Sequence, residues 1–158
     1  MQSLMKHLKI GVQAPVFKTE DQEGNKIDSS LFKGKKWVLY FYPKDDTPGC
    51  TAQACNLRDN YKKLIKKGIA ILGVSVDSVA SHVKFIDKYE LPFSLIADED
   101  KKIVDKYNLW GQKKFMGKTY MGTSRTTFLI DEAGMVQHII EKPDTKDHTA
   151  EILAISGW

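Results

Sequence analysis

Two thiols stand five residues apart in Pro43-Lys-Asp-Asp-Thr47-Pro-Gly49-Cys50-Thr-Ala-Gln-Ala-Cys55, and the 158-residue chain has no others. Pro48 and Gly49 lead into a predicted helix, which places Cys50 in its first turn. Unpaired backbone N–H groups and the positive end of the macrodipole favour a thiolate there. Settings of that kind bring a thiol from a pKa of about 8.5 down to roughly 3.5–7.5. An activated sulfur with a second sulfur nearby outlines a redox centre. Thr47 can bring a hydroxyl to that sulfur or to a bound oxygen, and Pro43 offers an apolar wall that limits water.

On a helical wheel Ala54, Leu57, Tyr61 and Leu64 fall within about 40° of Cys50, which therefore tops the core-facing stripe. Cys55 lies about 140° round and about 7.5 Å along the axis, so an intact helix holds the two Cα atoms roughly 8.7 Å apart. A disulfide needs them within about 6.8 Å. As a permanent staple the pair is poor, since so short a loop constrains the unfolded chain by only about 2 kcal/mol. It suits a catalytic pair kept apart until oxidation. Joining Cys50 to Cys55 then requires unwinding near residues 50–56, and the bond is expected to be transient and intramolecular.

The elements that must hold this segment follow from periodicity. Val16–Thr19, the turn Glu23-Gly-Asn25 and Lys26-Ile27 read as a strand-turn-strand. Asp28-Ser-Ser30 caps a short helical turn ending near Gly34. Trp37–Tyr42, apolar and aromatic on both faces, reads as a strand inside a covered sheet, ended by Pro43. The cysteine helix continues through Ala54, Leu57, Tyr61, Leu64 and Ile65 to Gly68. Ile69–Val76 is a buried strand, Ser78–Tyr89 a helix, Phe93–Ala97 a short strand, and Asp100–Tyr107 a helix. Thr126–Ile130 and Met135–Ile140 form a hairpin around Asp131–Gly134, and a last helix spans Lys146–Ile155. This alternation predicts an α/β, thioredoxin-like fold with a mixed central sheet flanked by helices and an N-terminal strand-turn-strand extension. No linker or repeat interrupts it, so residues 1–158 read as one domain.

Composition is that of an ordinary globular protein, with 42% hydrophobic and 28% charged residues. The net charge is +4, and the lysines are scattered. That predicts a solvated basic surface and no nucleic-acid binding. No apolar run reaches transmembrane length, and Met1–Ile10 shows neither an unbroken apolar stretch nor a small-residue cleavage site. A cytoplasmic location is expected, where a cysteine pair is more often catalytic than structural.

Pro43-x-x-x-Thr47-x-x-Cys50 matches the active-site motif of the peroxiredoxins, and Thr-Pro-Gly-Cys-Thr-x-x-x-Cys resembles their bacterioferritin comigratory protein (peroxiredoxin Q) branch. Phe41-Tyr-Pro43, Leu72-Gly-Val-Ser-x-Asp77, Leu109-Trp-Gly111, Phe115-Met-Gly-Lys118 and Arg125-Thr-Thr-Phe-Leu-Ile-Asp131 resemble that branch in the same order. The resemblance covers nearly the whole chain. It implies a hydroperoxide reductase with Cys50 peroxidatic and Cys55 resolving, and with Arg125 beside Cys50, stabilising the thiolate and orienting the peroxide. It also implies a thioredoxin-type dithiol reductant, a monomer, and no metal, haem, flavin or other cofactor. The family pattern often has Glu where this chain has Gln53, a change expected to leave the thiol chemistry untouched.

Alone, Arg125 reads as a surface or salt-bridge arginine and Thr47 as a turn residue. A zinc site is poorly supported, because the spacing is not Cys-x-x-Cys and His7, His82, His138 and His148 are scattered singly. Each histidine is expected at the surface or partly buried. Asp45 and Asp46 read as a solvated loop, the Lys62-Lys63 and Lys66-Lys67 pairs as the wet side of their helix, and Trp110 and Phe115 as ordinary packing. Two rival functions remain at this point: a peroxide sensor that passes its disulfide to a partner, and a redox-inert thioredoxin-like binding module.

Overall fold

The computed structural model describes residues 8–158, without the side chain of Phe115. His7 and most of the N-terminal reading lie outside those residues. Strand β3 (Lys36–Phe41) shows why the centre is a covered sheet. Val38 and Tyr40 enter one apolar cluster, while Trp37, Leu39 and Phe41 enter a second on the opposite face. Both clusters need a cover, and helices supply most of it.

Around β3 are β4 (Ile69–Ser75), β5 (Ser94–Ala97), β8 (Thr126–Ile130) and β9 (Val136–Ile140), in the spatial order β5-β4-β3-β8-β9. The β3–β4 and β4–β5 pairs are parallel; β3–β8 and β8–β9 are antiparallel. Helices α1 (Pro48–Asp59), α2 (Tyr61–Lys66), α3 (Val79–Tyr89) and α5 (His148–Leu153) bring Leu57, Leu64, Phe85 and Ile152 to the first cluster. Helix α4 (Lys102–Lys106) brings Ile103 and Val104 to the second. Strands β1 (Lys18–Glu20) and β2 (Lys26–Asp28) form the N-terminal hairpin, followed by a 3-10 turn at Ser29–Phe32 capped by Asp28.

Two expectations need correction, and one hairpin is added. The cysteine helix does not run unbroken to Gly68. Asn60 interrupts it, donating its side-chain amide to the Asn56 carbonyl at 2.9 Å while its backbone leaves helical geometry. Ile65, expected on the apolar stripe, is exposed on the restarted helix. The stretch after Leu109 is a separate hairpin, β6 (Trp110–Phe115) with β7 (Lys118–Thr123). Its two-residue turn, Met116-Gly117, has positive φ at both positions, as such turns require. Among the described residues no helix is long and apolar enough to cross a membrane.

Candidate active site

Helix α1 follows β3 after the loop 42–47, so the sheet delivers the cysteine segment to its own C-terminal edge. Thr47 is the N-cap residue and Pro48 the first helical residue. The first helical bond is Thr51 N–H to the Thr47 carbonyl at 2.8 Å. The N–H groups of Gly49 and Cys50 therefore have no partner within the helix. Cys50 is buried and packs in the same cluster as Ala54 and Leu57, as its stripe position requires. Cys55, round the helix, is half-exposed, and both thiols are free. Burial pushes the Cys55 thiol up, with the charge of Arg58 pulling the other way.

Arg125 precedes β8. Because β8 runs antiparallel to β3 and pairs Thr126 with Phe41, its start lies beside the end of β3. That crossing brings two segments distant in sequence onto one helical turn. Arg125 Nη1 donates to Gln53 Oε1 at 2.9 Å, and a Cβ on Gly49 would stand 3.0 Å from Arg125 Nη2. Glycine at 49 makes room for the guanidinium. Gln53 is fully buried one turn after Cys50, and its side-chain oxygen holds the Arg125 guanidinium.

Thr47 Oγ1 gives its proton to the Lys44 carbonyl at 2.9 Å, which leaves its lone pairs as acceptors. Pro43 is half-buried at the strand exit. Lys113, on β6, is half-buried and donates to the Thr123 carbonyl at 2.9 Å. Burial lowers its ammonium pKa, the charge of Arg125 lowers it further, and that of Cys50 opposes both. A second cation thus accompanies Arg125. Trp110 packs on the second cluster with Lys101 Nζ 4.8 Å above its ring. The side chain of Phe115 is outside the described residues.

The loop before Cys50 is not simply solvated. Asp45 is buried: it accepts from Tyr42 Oη at 2.6 Å, from Ser81 Oγ at 2.8 Å, and lies 2.6 Å from His82 Nδ1. Its backbone N–H donates to Asp77 at 2.8 Å. Asp46, in the left-handed region, is held from outside by Lys88 at 2.8 Å and Tyr89 at 2.7 Å. Helix α3 therefore clamps both sides of the loop. His82 and His148 are fully buried, against expectation, because each has a polar partner for both ring nitrogens. The spacing of His82 with Phe85, Ile86 and Tyr89 carries a helical stripe that could have placed it inside. Asp45, Asp77 and His82 offer atoms within 4.8 Å of one another. Their hydrogen bonds to each other, Tyr42, Ser75 and Ser81 account for the cluster without an ion.

A thioredoxin-like sheet carrying a buried thiol at the first turn of the helix after its central strand defines a thiol-redox protein. Residues 10–139 match the model of the AhpC/TSA family, and the chain belongs to that family. It is 43% identical over 149 residues to peroxiredoxin Bcp of Escherichia coli, covering 94% of this chain and 96% of that one. To peroxiredoxin Bcp of Bacillus subtilis it is 44% identical over 146 residues, covering 92% and 93%. The solved structure of the Xanthomonas campestris bacterioferritin comigratory protein, described for its alkyl peroxide reduction activity, superposes with a TM-score of 0.81 at 33% identity, covering 87% of this chain and 88% of that one.

Proposed function

We propose that this chain is a thiol peroxidase in which Cys50 reduces hydrogen peroxide and organic hydroperoxides and Cys55 resolves the product. The observation that carries the reading is the Arg125 guanidinium seated against Gly49 and fixed by Gln53, on the turn that holds Cys50. The free N–H groups of that turn and the guanidinium supply fixed donors for a peroxide, and Thr47 Oγ1 accepts its O–H. Cys50 thiolate attacks the terminal oxygen. The S–O bond forms, the O–O bond breaks, and sulfur is oxidised by two electrons. The departing alkoxide or hydroxide takes a proton and leaves as alcohol or water.

Resolution needs α1 to open, because the intact helix keeps the sulfurs apart. Opening also activates Cys55: burial is the main cause of its raised pKa, so exposure returns it toward the ordinary thiol value. Its thiolate attacks Cys50 sulfur, the S–S bond forms, the S–O bond breaks, and hydroxide departs. A thioredoxin-type dithiol then reduces the disulfide by exchange. The chain works as one domain, as a monomer, in the cytoplasm, in antioxidant defence.

The test is peroxide consumption coupled to a dithiol reductant, with intact-mass measurement of the protein. Cys50→Ser abolishes turnover. Cys55→Ser keeps the first oxidation and accumulates Cys50 as sulfenic or higher acid. Equal first-step rates for the parent and Cys50→Ser would overturn the assignment.

A further inference from the structure

Among the described residues three buried side-chain atoms lack a hydrogen-bond partner: Tyr40 Oη, Gln53 Nε2 and Thr123 Oγ1. Unpaired buried polar groups are costly and rare, so each calls for a reason. All three lie close to the site in sequence or in space. Gln53 is one turn after Cys50, with its other amide atom on Arg125. Thr123 is two residues before Arg125, and its carbonyl holds Lys113. Tyr40 is fully buried in the same core cluster as Cys50.

Packing explains the ring of Tyr40 and leaves its hydroxyl unexplained. The ring stacks on Tyr42 at 5.5 Å and meets the edge of Phe93 at 6.0 Å. Across the ladder it faces Gly73, where a Cβ would lie 2.9 Å from Tyr40 Cζ. The glycine makes room for the ring, which is thereby confined. Phenylalanine would keep every one of these contacts and leave no polar atom unpaired.

We propose that the Tyr40 hydroxyl is the hydrogen-bond donor for the oxygen Cys50 carries after reacting with peroxide, holding the sulfenic acid in the folded site. The inference rests on the peroxidatic reading of Cys50. The oxygen arrives by the step already balanced above, and Tyr40 adds only a hydrogen bond. The phenol keeps its own proton, since burial first, and then the neighbouring Cys50 charge, raise it well above an ordinary tyrosine. Oxidation thus satisfies a group that the reduced site leaves bare, and the folded intermediate gains lifetime before the helix opens. Gln53 Nε2 is a second open donor on the same turn.

The experiment compares the parent with Tyr40→Phe, both with their two cysteines, after one equivalent of hydrogen peroxide, quenching at intervals and reading sulfenic acid and disulfide by mass. In Tyr40→Phe the sulfenic acid converts to disulfide about fivefold faster, the equivalent of one net hydrogen bond lost from the folded intermediate. The reduced variant melts no lower than the reduced parent, because the deleted hydroxyl had no partner there. An unchanged or slower conversion overturns the proposal, and so does a lower melting point of the reduced form. A parent that forms no sulfenic acid at Cys50 removes instead the reading on which the proposal stands.

Discussion

Asp45→Asn tests how the loop before Cys50 is held. His82 Nε2 lies 2.9 Å from the Ile96 carbonyl, which can only accept, and Nδ1 lies 2.6 Å from the Asp45 carboxylate. Both ring nitrogens face acceptors, so with Asp45 ionised the ring is an imidazolium. Burial alone pushes His82 down. The Asp45 hydrogen bond and charge, the Ile96 carbonyl and the charge of Asp77 outweigh it and hold the ring above an ordinary histidine. A raised folded value means that the pair's stabilisation is complete below the unfolded histidine value of about 6.5 and is lost as pH rises through the folded value.

The substitution keeps the shape and removes the charge. At low pH it leaves a buried imidazolium unpaired, and removing one member of such a pair costs about 3–5 kcal/mol. At high pH the ring is neutral, keeps its Nε2 proton for Ile96, and accepts at Nδ1 from the new amide. The cost then falls to about 1 kcal/mol, that of one rearranged hydrogen bond. The assay is urea unfolding of parent and variant at about pH 5.5, pH 7 and pH 9, read as the difference in unfolding free energy. Other carboxylates titrate in both proteins and largely cancel in the difference. A gap that is constant with pH, or that widens toward high pH, refutes the charged pair.

Arg125→Ala is expected to slow the reaction of Cys50 with peroxide by about 10²- to 10³-fold, the loss typical of removing one preorganised donor. Arg125→Lys should recover little, since a point charge cannot both hold Gln53 and face the peroxide; stopped-flow oxidation rates decide, and an unchanged rate removes Arg125 from the site. Asn56→Ala removes the bonds from Asn56 Nδ2 to the Lys146 carbonyl at 3.1 Å and from Thr149 N–H to Asn56 Oδ1 at 2.8 Å. It should lower stability by about 1–3 kcal/mol and quicken disulfide formation, because unwinding can then pass residue 56. Thermal melts and quenched mass measurement check both halves, and failure of either rejects Asn56 as the boundary.

The parts of this molecule that obey a period were legible in its sequence. The two-sided apolar run at Trp37–Phe41 foretold the central strand, and the stripe through Ala54 and Leu57 foretold which way Cys50 faces. What is not legible there depends on partners far along the chain. Asp45 and Asp46 look like loop residues until α3 is packed on them, and nothing local says that Ser81, His82, Lys88 and Tyr89 will be there. The β6–β7 hairpin escaped because its strands stand outside the main sheet and carry no clean alternation of buried and exposed residues. No local pattern marks Arg125; only the family resemblance points to it. Its physical reason is topological: an antiparallel neighbour must begin where β3 ends.

The anchors also say how far the helix can open. On its N-terminal side the loop is clamped through Asp45 and Asp46. On its C-terminal side Asn56 is tied to α5, and Arg58 Nη1 donates to the Tyr89 carbonyl at 2.8 Å. Between these clamps α1 starts without a side-chain cap and carries Gly49 in its first turn, both of which weaken it. The apolar core residues that unwinding must release there are small, Cys50 and Ala54, beside the buried Gln53 with its one bond to Arg125, whereas Leu57 lies beyond Asn56. Buried apolar groups stabilise by about 0.8 kcal/mol per methylene, so opening residues 48–55 forfeits far less than opening the whole helix. Both thiols fall inside that span, so the proposed disulfide can form with the sheet, α3 and the rest of α1 left in place.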